Sequence, residues 1–150
     1  MSNNQYDVVV IGAGPGGYVS AIRASQLGMK VAIVEKDQRL GGTCLLRGCI
    51  PTKSMLESAE IADHARHADE FGISVGEVSI DLSAVLKRKE KVVSQNAGGV
   101  QYLMKKNKVD THYGFGSLAG TTPRGQRRVK VSGADGDLYL ETKHVLLATG

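Results

Sequence analysis

Tyr6-Asp7-Val8-Val9-Val10-Ile11-Gly12-Ala13-Gly14-Pro15-Gly16-Gly17 is the stretch that decides the fold of this 150-residue chain. Tyr6 to Ile11 has the length and β-branched content of a strand buried on both faces. It runs directly into Gly12-x-Gly14-x-x-Gly17. The next residues, with Tyr18, Ala21, Ile22 and Ser25 on one side, read as a helix closing at Gly28. Val31 to Val34 forms a second buried strand, with Glu35 at its end. A lone Gly-x-Gly-x-x-Gly is a weak signal, but a strand before it, a helix after it and a second strand ending in an acid make it specific. In that setting Gly12 makes the tight turn, Gly14 lets a pyrophosphate approach the backbone, and Gly17 lets helix and strand pack closely. The helix N-terminus offers unpaired N–H groups and a positive dipole end to that pyrophosphate. Glu35 is placed to accept hydrogen bonds from an adenosine ribose. The plain alternative is a glycine-rich turn in an α/β domain that binds nothing.

A loop over Asp37 to Leu40 leads to Gly41-Gly42-Thr43-Cys44-Leu45-Leu46-Arg47-Gly48-Cys49-Ile50-Pro51-Thr52-Lys53, which holds both cysteines of the sequence. Four residues lie between them, and one helical turn spans the roughly 4.4–6.8 Å that a disulfide needs between Cα atoms. So small a ring removes little entropy from the unfolded chain, so a bond here is a poor staple and can open and close for chemistry. Gly41 and Gly42 would let the backbone approach a bulky ligand, and a helix beginning near Cys44 would favour its thiolate. Two buried cysteines that happen to be neighbours are the bland reading. A closed zinc site needs four ligands, which two cysteines do not supply. Redox chemistry accounts best for the surrounding glycines and lysine.

The helix from about Cys44 runs to Ala68, bent near Pro51, with an apolar stripe of Met55, Ala59 and Ala62. His64 and His67, three apart, read as solvent-facing, since no carboxylate or cysteine cluster supports a metal site. Phe71-Gly72 ends it, and Ile73 to Ile80 is extended or loop. Asp81 or Ser83 caps a long helix to about Asn107, with Val85, Leu86, Val92, Val93, Val100, Leu103 and Met104 on its apolar side. Gly98-Gly99 interrupts the pattern as a local bend or a close packing point. Val109 to Tyr113 reads as a strand leading to Gly114-Phe115-Gly116. Arg127 to Val131, Leu138 to Glu141 and His144 to Ala148 read as strands separated by turns at Gly120 to Gly125 and Gly133 to Gly136. The fold class is therefore α/β: a Rossmann-like parallel sheet plus an antiparallel β-meander. An apolar strand closing on Ala148-Thr149-Gly150 reads as part of a longer polypeptide.

A content of 41% hydrophobic and 23% charged residues is that of an ordinary globular domain. Two cysteines are too few for a secreted disulfide framework. Only Met1 to Gln5 precede the first strand, so no leader is expected and the reading is cytoplasmic. No apolar run reaches the roughly 18 residues of a membrane span. The net charge of +4 is spread over several segments, such as Lys87-Arg88-Lys89 and Arg127-Arg128. With no recognition motif beside them these read as solvated faces, not as a nucleic-acid surface.

Together the Gly-Ala-Gly-Pro-Gly-Gly unit ending at Glu35, the Gly-Gly-Thr-Cys…Cys-Ile-Pro-Thr-Lys stretch and the closing Ala-Thr-Gly resemble the flavin-dependent pyridine-nucleotide disulfide oxidoreductases. The resemblance covers essentially the whole chain and is strongest to the dihydrolipoamide dehydrogenase branch, ahead of the glutathione and mercuric reductase branches. One departure is Leu46, where the family usually has asparagine. The resemblance implies FAD with its pyrophosphate on Gly12, Gly14, Pro15, Gly16 and Gly17 and its adenosine ribose on Glu35. It implies Lys36, Gly42, Thr43 and Cys44 in the flavin pocket, Gly116 at the adenine end, and Ala148, Thr149 and Gly150 as a second flavin contact. Cys44 and Cys49 would form the redox disulfide, Cys44 as the interchange thiol and Cys49 facing the isoalloxazine. Lys53 would set a positive charge near the flavin N5 region, with Glu57 as its acidic neighbour. Electrons would pass from dihydrolipoamide on a lipoyl domain to the disulfide, to FAD and then to NAD, in a homodimer. The nicotinamide-binding domain and the interface domain with its histidine–glutamate pair are not among these residues, so this stretch alone is expected to be inactive. The competing reading is a flavin- or ADP-binding module without catalysis.

Overall fold

The computed structural model describes residues 4–134 and 136–150. The expected N-terminal lead is therefore described only from Asn4, and Asp135 of the expected Gly133 to Gly136 turn lies outside the described residues. Six strands form one sheet, β1 (Gln5–Ile11), β2 (Val31–Glu35), β3 (Asp110–Tyr113), β4 (Phe115–Thr121), β5 (Arg127–Gly133) and β6 (Gly136–Leu147), in the order β3-β2-β1-β6-β5-β4. Four helices accompany it, α1 (Pro15–Gln26), α2 (Gly42–Leu46), α3 (Cys49–Arg66) and α4 (Leu82–Lys106), with a short 3-10 turn at Ala68–Phe71.

The parallel half follows from the apolar runs. Every residue of β2 is buried, and β1 pairs parallel to β2 through Val8↔Val31 to Ile11↔Val34. β3 adds on the far side of β2, also parallel. One layer of core lies between this sheet and the helices, with Val10, Ala21, Ile33, Leu40, Val93, Val100 and Met104 at its centre. The second core lies on the other face, where Val9, Ile11, Ala32 and Val34 meet Val129, Val131 and Leu140 of the meander.

Two expected strands, Leu138 to Glu141 and His144 to Ala148, are one. β6 runs unbroken for 12 residues. Its first half pairs antiparallel with β5 and its second half parallel with β1, and Thr142 faces both Arg127 and Tyr6. Thr142 is fully buried and its hydroxyl donates to the His144 carbonyl at 3.0 Å, so the polar residues that break the apolar pattern lie inside one mixed strand. Phe115–Thr121, expected only as the end of a strand and a turn, is a strand of the meander. The meander curls over the parallel half as a half-barrel. A Cβ on Gly116 would come within 2.9 Å of Ile11 Cγ2, so the glycine is what allows that approach.

The expected single helix from Cys44 to Ala68 is two helices. It breaks at Arg47 and Gly48, and Pro51 lies within the second helix. Gly48 adopts φ −122°, ψ −103°, outside helical values, and is packed against Thr43 and Cys44. Pro51 lies in the first turn of α3, where its missing N–H costs nothing because first-turn N–H groups have no intrahelical acceptor. The buried side of α3 carries Pro51, Ser54 and Ala62, while Met55 and Ala59 are exposed. Arg88 of α4 explains the buried serine, donating to the Ser54 carbonyl at 2.8 Å and to Oγ at 3.0 Å. Asp81 caps α4 by accepting from the Ser83 and Ala84 N–H groups. The helix is unbroken through Gly98-Gly99, where an added Cβ would meet nothing within 4 Å. Its buried stripe is Val93, Ala97, Val100 and Met104; Leu86 and Leu103 lie toward solvent.

Candidate functional site

Both ends of the glycine turn are fixed by the close packing the sequence called for. Gly12 has φ +102°, and a side chain there would run into the Ala148 carbonyl at the end of β6. A side chain on Gly17 would run into the carbonyl of Gly12, so α1 lies directly on the turn. Gly17 and Tyr18 donate to the Gly14 carbonyl at 2.9 and 3.0 Å. Pro15 has no N–H, and helix geometry leaves the Gly16 N–H without an intrahelical acceptor. At Gly14 a Cβ would meet only Gly42 Cα, at an ordinary 3.8 Å.

Gly41 and Gly42 also pack the protein on itself, while Gly42 keeps its place on the wall of the space beside them. With φ +129° and +63° they carry the chain against the glycine turn, where a Cβ on Gly42 would come to 2.5 Å from Gly14 Cα. Gly41 also donates to the Ala13 carbonyl at 2.9 Å. The cysteine stretch is thereby laid on the first glycine turn.

Glu35 is buried at the end of β2. Its Oε2 accepts from the Ala13 N–H at 2.7 Å and its Oε1 from the Asp37 N–H at 2.9 Å. A carboxylate has about four lone-pair sites, so two remain for hydroxyl donors. Beside it lies a cavity of about 430 Å³, whose walls include Gly12, Gly14, Pro15, Gly16, Glu35, Lys36, Gly42, Thr43, Cys44, Gly116, Ala148, Thr149 and Gly150. Thirteen positions singled out from sequence thus meet around one space. Gly17, Cys49 and Lys53 are not on its wall. Sequence reasoning missed Asp37 and Arg47, which also border it, although Asp37 follows Glu35 closely and Arg47 stands between the cysteines.

Cys44 and Cys49 are joined by a disulfide with Cα atoms 4.8 Å apart. The bond spans the break between α2 and α3. The long helix starts at Cys49, not at Cys44 as expected, so the positive end of an 18-residue dipole lies at Cys49 and favours negative charge on that sulfur. Cys44 borders the cavity and also a second groove of about 560 Å³ shared with Tyr18, Ile50 and Tyr102. Lys53 lies one turn beyond Cys49 on α3, and both are exposed. No ion pair links it to Glu57 among the described residues. His64 and His67 are exposed, and among the described residues no cluster of three or more histidine, cysteine, aspartate or glutamate side chains could hold a metal. No helix among those residues is long and apolar enough to cross a membrane.

The parts fit the group that the sequence resemblance implied. A glycine cradle, a helix start with a free N–H and a carboxylate with two spare acceptor sites surround a space within the roughly 300–1,000 Å³ of small-molecule sites. Residues 6–150 match the family described as pyridine nucleotide-disulphide oxidoreductase. The chain is 46% identical to the dihydrolipoyl dehydrogenase of Bacillus subtilis (strain 168), covering 97% of this chain and 31% of that protein. It is 44% identical to the dihydrolipoyl dehydrogenase of Acholeplasma laidlawii, covering 99% and 41%. It is also 45% identical to the mitochondrial dihydrolipoyl dehydrogenase of Dictyostelium discoideum, covering 99% and 30%. The chain thus spans roughly a third of the length of these relatives.

Proposed function

The chain belongs to the pyridine nucleotide-disulphide oxidoreductase family, and from that premise we propose that it binds FAD in the glycine-walled cavity and exchanges electrons with a dithiol through Cys44–Cys49. The observation that carries this reading is that Cys44, one half of the disulfide, borders the same cavity as Glu35 and the glycine turn. The Gly16 N–H and the α1 dipole would hold the pyrophosphate, and Glu35 would accept from the ribose hydroxyls. Thr43, Lys36, Gly116 and Ala148 to Gly150 would line the remainder.

The disulfide chemistry follows from the two sulfurs' settings. A substrate thiolate attacks Cys44 Sγ, which the groove beside Tyr18 and Tyr102 leaves open to approach. The Cys44–Cys49 bond breaks, and Cys49 departs as the thiolate that the α3 N-terminus favours; a better-stabilised thiolate leaves faster. The second substrate thiol, losing its proton to solvent or a base, attacks the mixed disulfide at the substrate sulfur. The substrate leaves as a disulfide, and Cys44 is released as the second reduced sulfur. FAD, when bound, supplies an acceptor for the electron pair. Lys53, on the same helix as Cys49, would set its positive charge toward that acceptor.

The relatives' name, dihydrolipoyl dehydrogenase, supports a dihydrolipoyl group as the dithiol. A lipoyl domain as its carrier, NAD as the final acceptor and a homodimer as the assembly of the whole protein complete the proposal. The test is stoichiometric FAD uptake by the purified chain, followed by gel filtration. Gly14→Val adds bulk to the cavity wall at a backbone position where a Cβ meets nothing closer than 3.8 Å, and an unchanged circular dichroism spectrum checks that the variant is folded. FAD retained by the parent and lost by the variant supports the site. Retention by both at stoichiometric level refutes it.

A further inference from the structure

The cavity is bounded by a closed ring of contacts. Ala13 donates to Glu35, Glu35 accepts from Asp37, and the Asp37 carboxylate pairs with Arg47 at 2.7 Å. The Arg47 N–H donates to the Thr43 carbonyl at 2.9 Å, Gly42 abuts Gly14, and Gly41 donates back to Ala13. Most links are hydrogen bonds to backbone or direct backbone packing. Among the described residues, the Asp37–Arg47 pair is the one link of the ring made between two side chains. It also lies at the rim: the Arg47 side chain is 59% exposed and that of Asp37 24%.

Arg47 occupies a particular place in the chain. It is the residue after α2, with non-helical φ −135°, at the break that the disulfide spans. The start of the cysteine stretch is held by backbone packing on the glycine turn, and Arg47, near its end, is tied by this ion pair to Asp37, both partners lining the cavity.

We propose that Asp37 and Arg47 form a clasp over the dinucleotide cavity, positioning residues that retain the bound cofactor by tying the redox turn to the end of β2. The inference rests on the reading of the cavity as an FAD site. A clasp made of one exposed and one partly buried charge opens more readily than the backbone links beside it, and salt weakens it. Release of ligand therefore proceeds through its opening.

The experiment is the rate of FAD release from the loaded chain into excess ADP, read as the gain in flavin fluorescence. Asp37→Ala and Arg47→Met each leave the Asp37 and Arg47 backbone hydrogen bonds in place. Each variant should release FAD about three- to fivefold faster than the parent, in line with a rim ion pair. The double variant should be no faster than the faster single one. The parent itself should move toward the variants' rate at 1 M NaCl, a check that needs no substitution. Single variants releasing at the parent's rate, or effects that multiply in the double variant, would overturn the clasp while leaving the cavity assignment standing. A parent chain that takes up neither FAD nor ADP would overturn the cavity assignment and the clasp with it.

Discussion

Gly17 and Gly98 are both helical glycines, and replacing each by alanine should change stability in opposite directions. Helix propensity alone favours alanine by about 1 kcal/mol at either position. At Gly98, in α4, an added Cβ meets nothing within 4 Å, so the propensity term stands unopposed. At Gly17 the Cβ falls on the carbonyl oxygen of Gly12, a backbone atom with no room to retreat, because Gly12 is itself wedged against Ala148. Overpacking costs about 1–3 kcal/mol in ordinary cores, and an immovable backbone neighbour puts this site at the upper end. The net expectation for Gly17→Ala is a loss of about 1–2 kcal/mol, against a gain of about 1 kcal/mol for Gly98→Ala. At about 2–4 °C per kcal/mol for a chain of this size, thermal unfolding separates the two variants by roughly 4–12 °C. Urea unfolding gives the same comparison at fixed temperature. Gly17→Ala unfolding at or above the parent's midpoint would show that α1 does not rest on the glycine turn as described.

Other consequences are as direct. Glu35→Gln leaves an amide where two backbone N–H groups need acceptors, so one buried donor loses its partner; urea unfolding should show a loss of about 1–3 kcal/mol, and no loss would contradict the Glu35 hydrogen bonds. Burial holds His112 below the usual histidine range, against the opposing pull of Asp110. The unfolded chain therefore takes up that proton first, and stability present above about pH 6.5 declines in acid; His112→Gln should flatten the decline between pH 7.5 and 5. Burial and the hydrogen bond to Asp110 push the Tyr6 phenol up to about 12, which an ultraviolet titration reads directly. Lys53→Met should leave FAD bound but lower the flavin's midpoint potential, and an unchanged potentiometric midpoint would remove Lys53 from the electrostatics of the site.

What the sequence made legible was local. The strand–turn–helix unit at Tyr6 to Gly28 shows in sequence because its glycines, apolar run and acid all lie within thirty residues. The Asp81 cap shows because it acts on residues only two and three places further along. The break at Gly48 was misplaced to Pro51 because proline marks helix boundaries in general, whereas this break lies inside a six-residue disulfide ring and in contact with Thr43. β6 was split because Thr142-Lys143 is polar; only the pairing of one strand with two neighbours of opposite direction makes it continuous. The exposed side of α4 was misjudged at Leu86 and Leu103 because a long helix packs on its neighbours along only part of its length. Of the site, the glycines and Glu35 came from motif spacing, and the roles of the cysteines from resemblance. The asymmetry between the sulfurs did not, since it depends on which residue begins α3.

The central claim is that Cys44 exchanges with the dithiol while Cys49 holds the thiolate. Its most direct test is the visible spectrum of FAD-loaded Cys44→Ser and Cys49→Ser under anaerobic conditions. Cys44→Ser should show a long-wavelength charge-transfer band from the remaining Cys49 thiolate against oxidised FAD, and Cys49→Ser should lack it. A band present with serine at position 49 and absent with serine at position 44 would reverse the assignment.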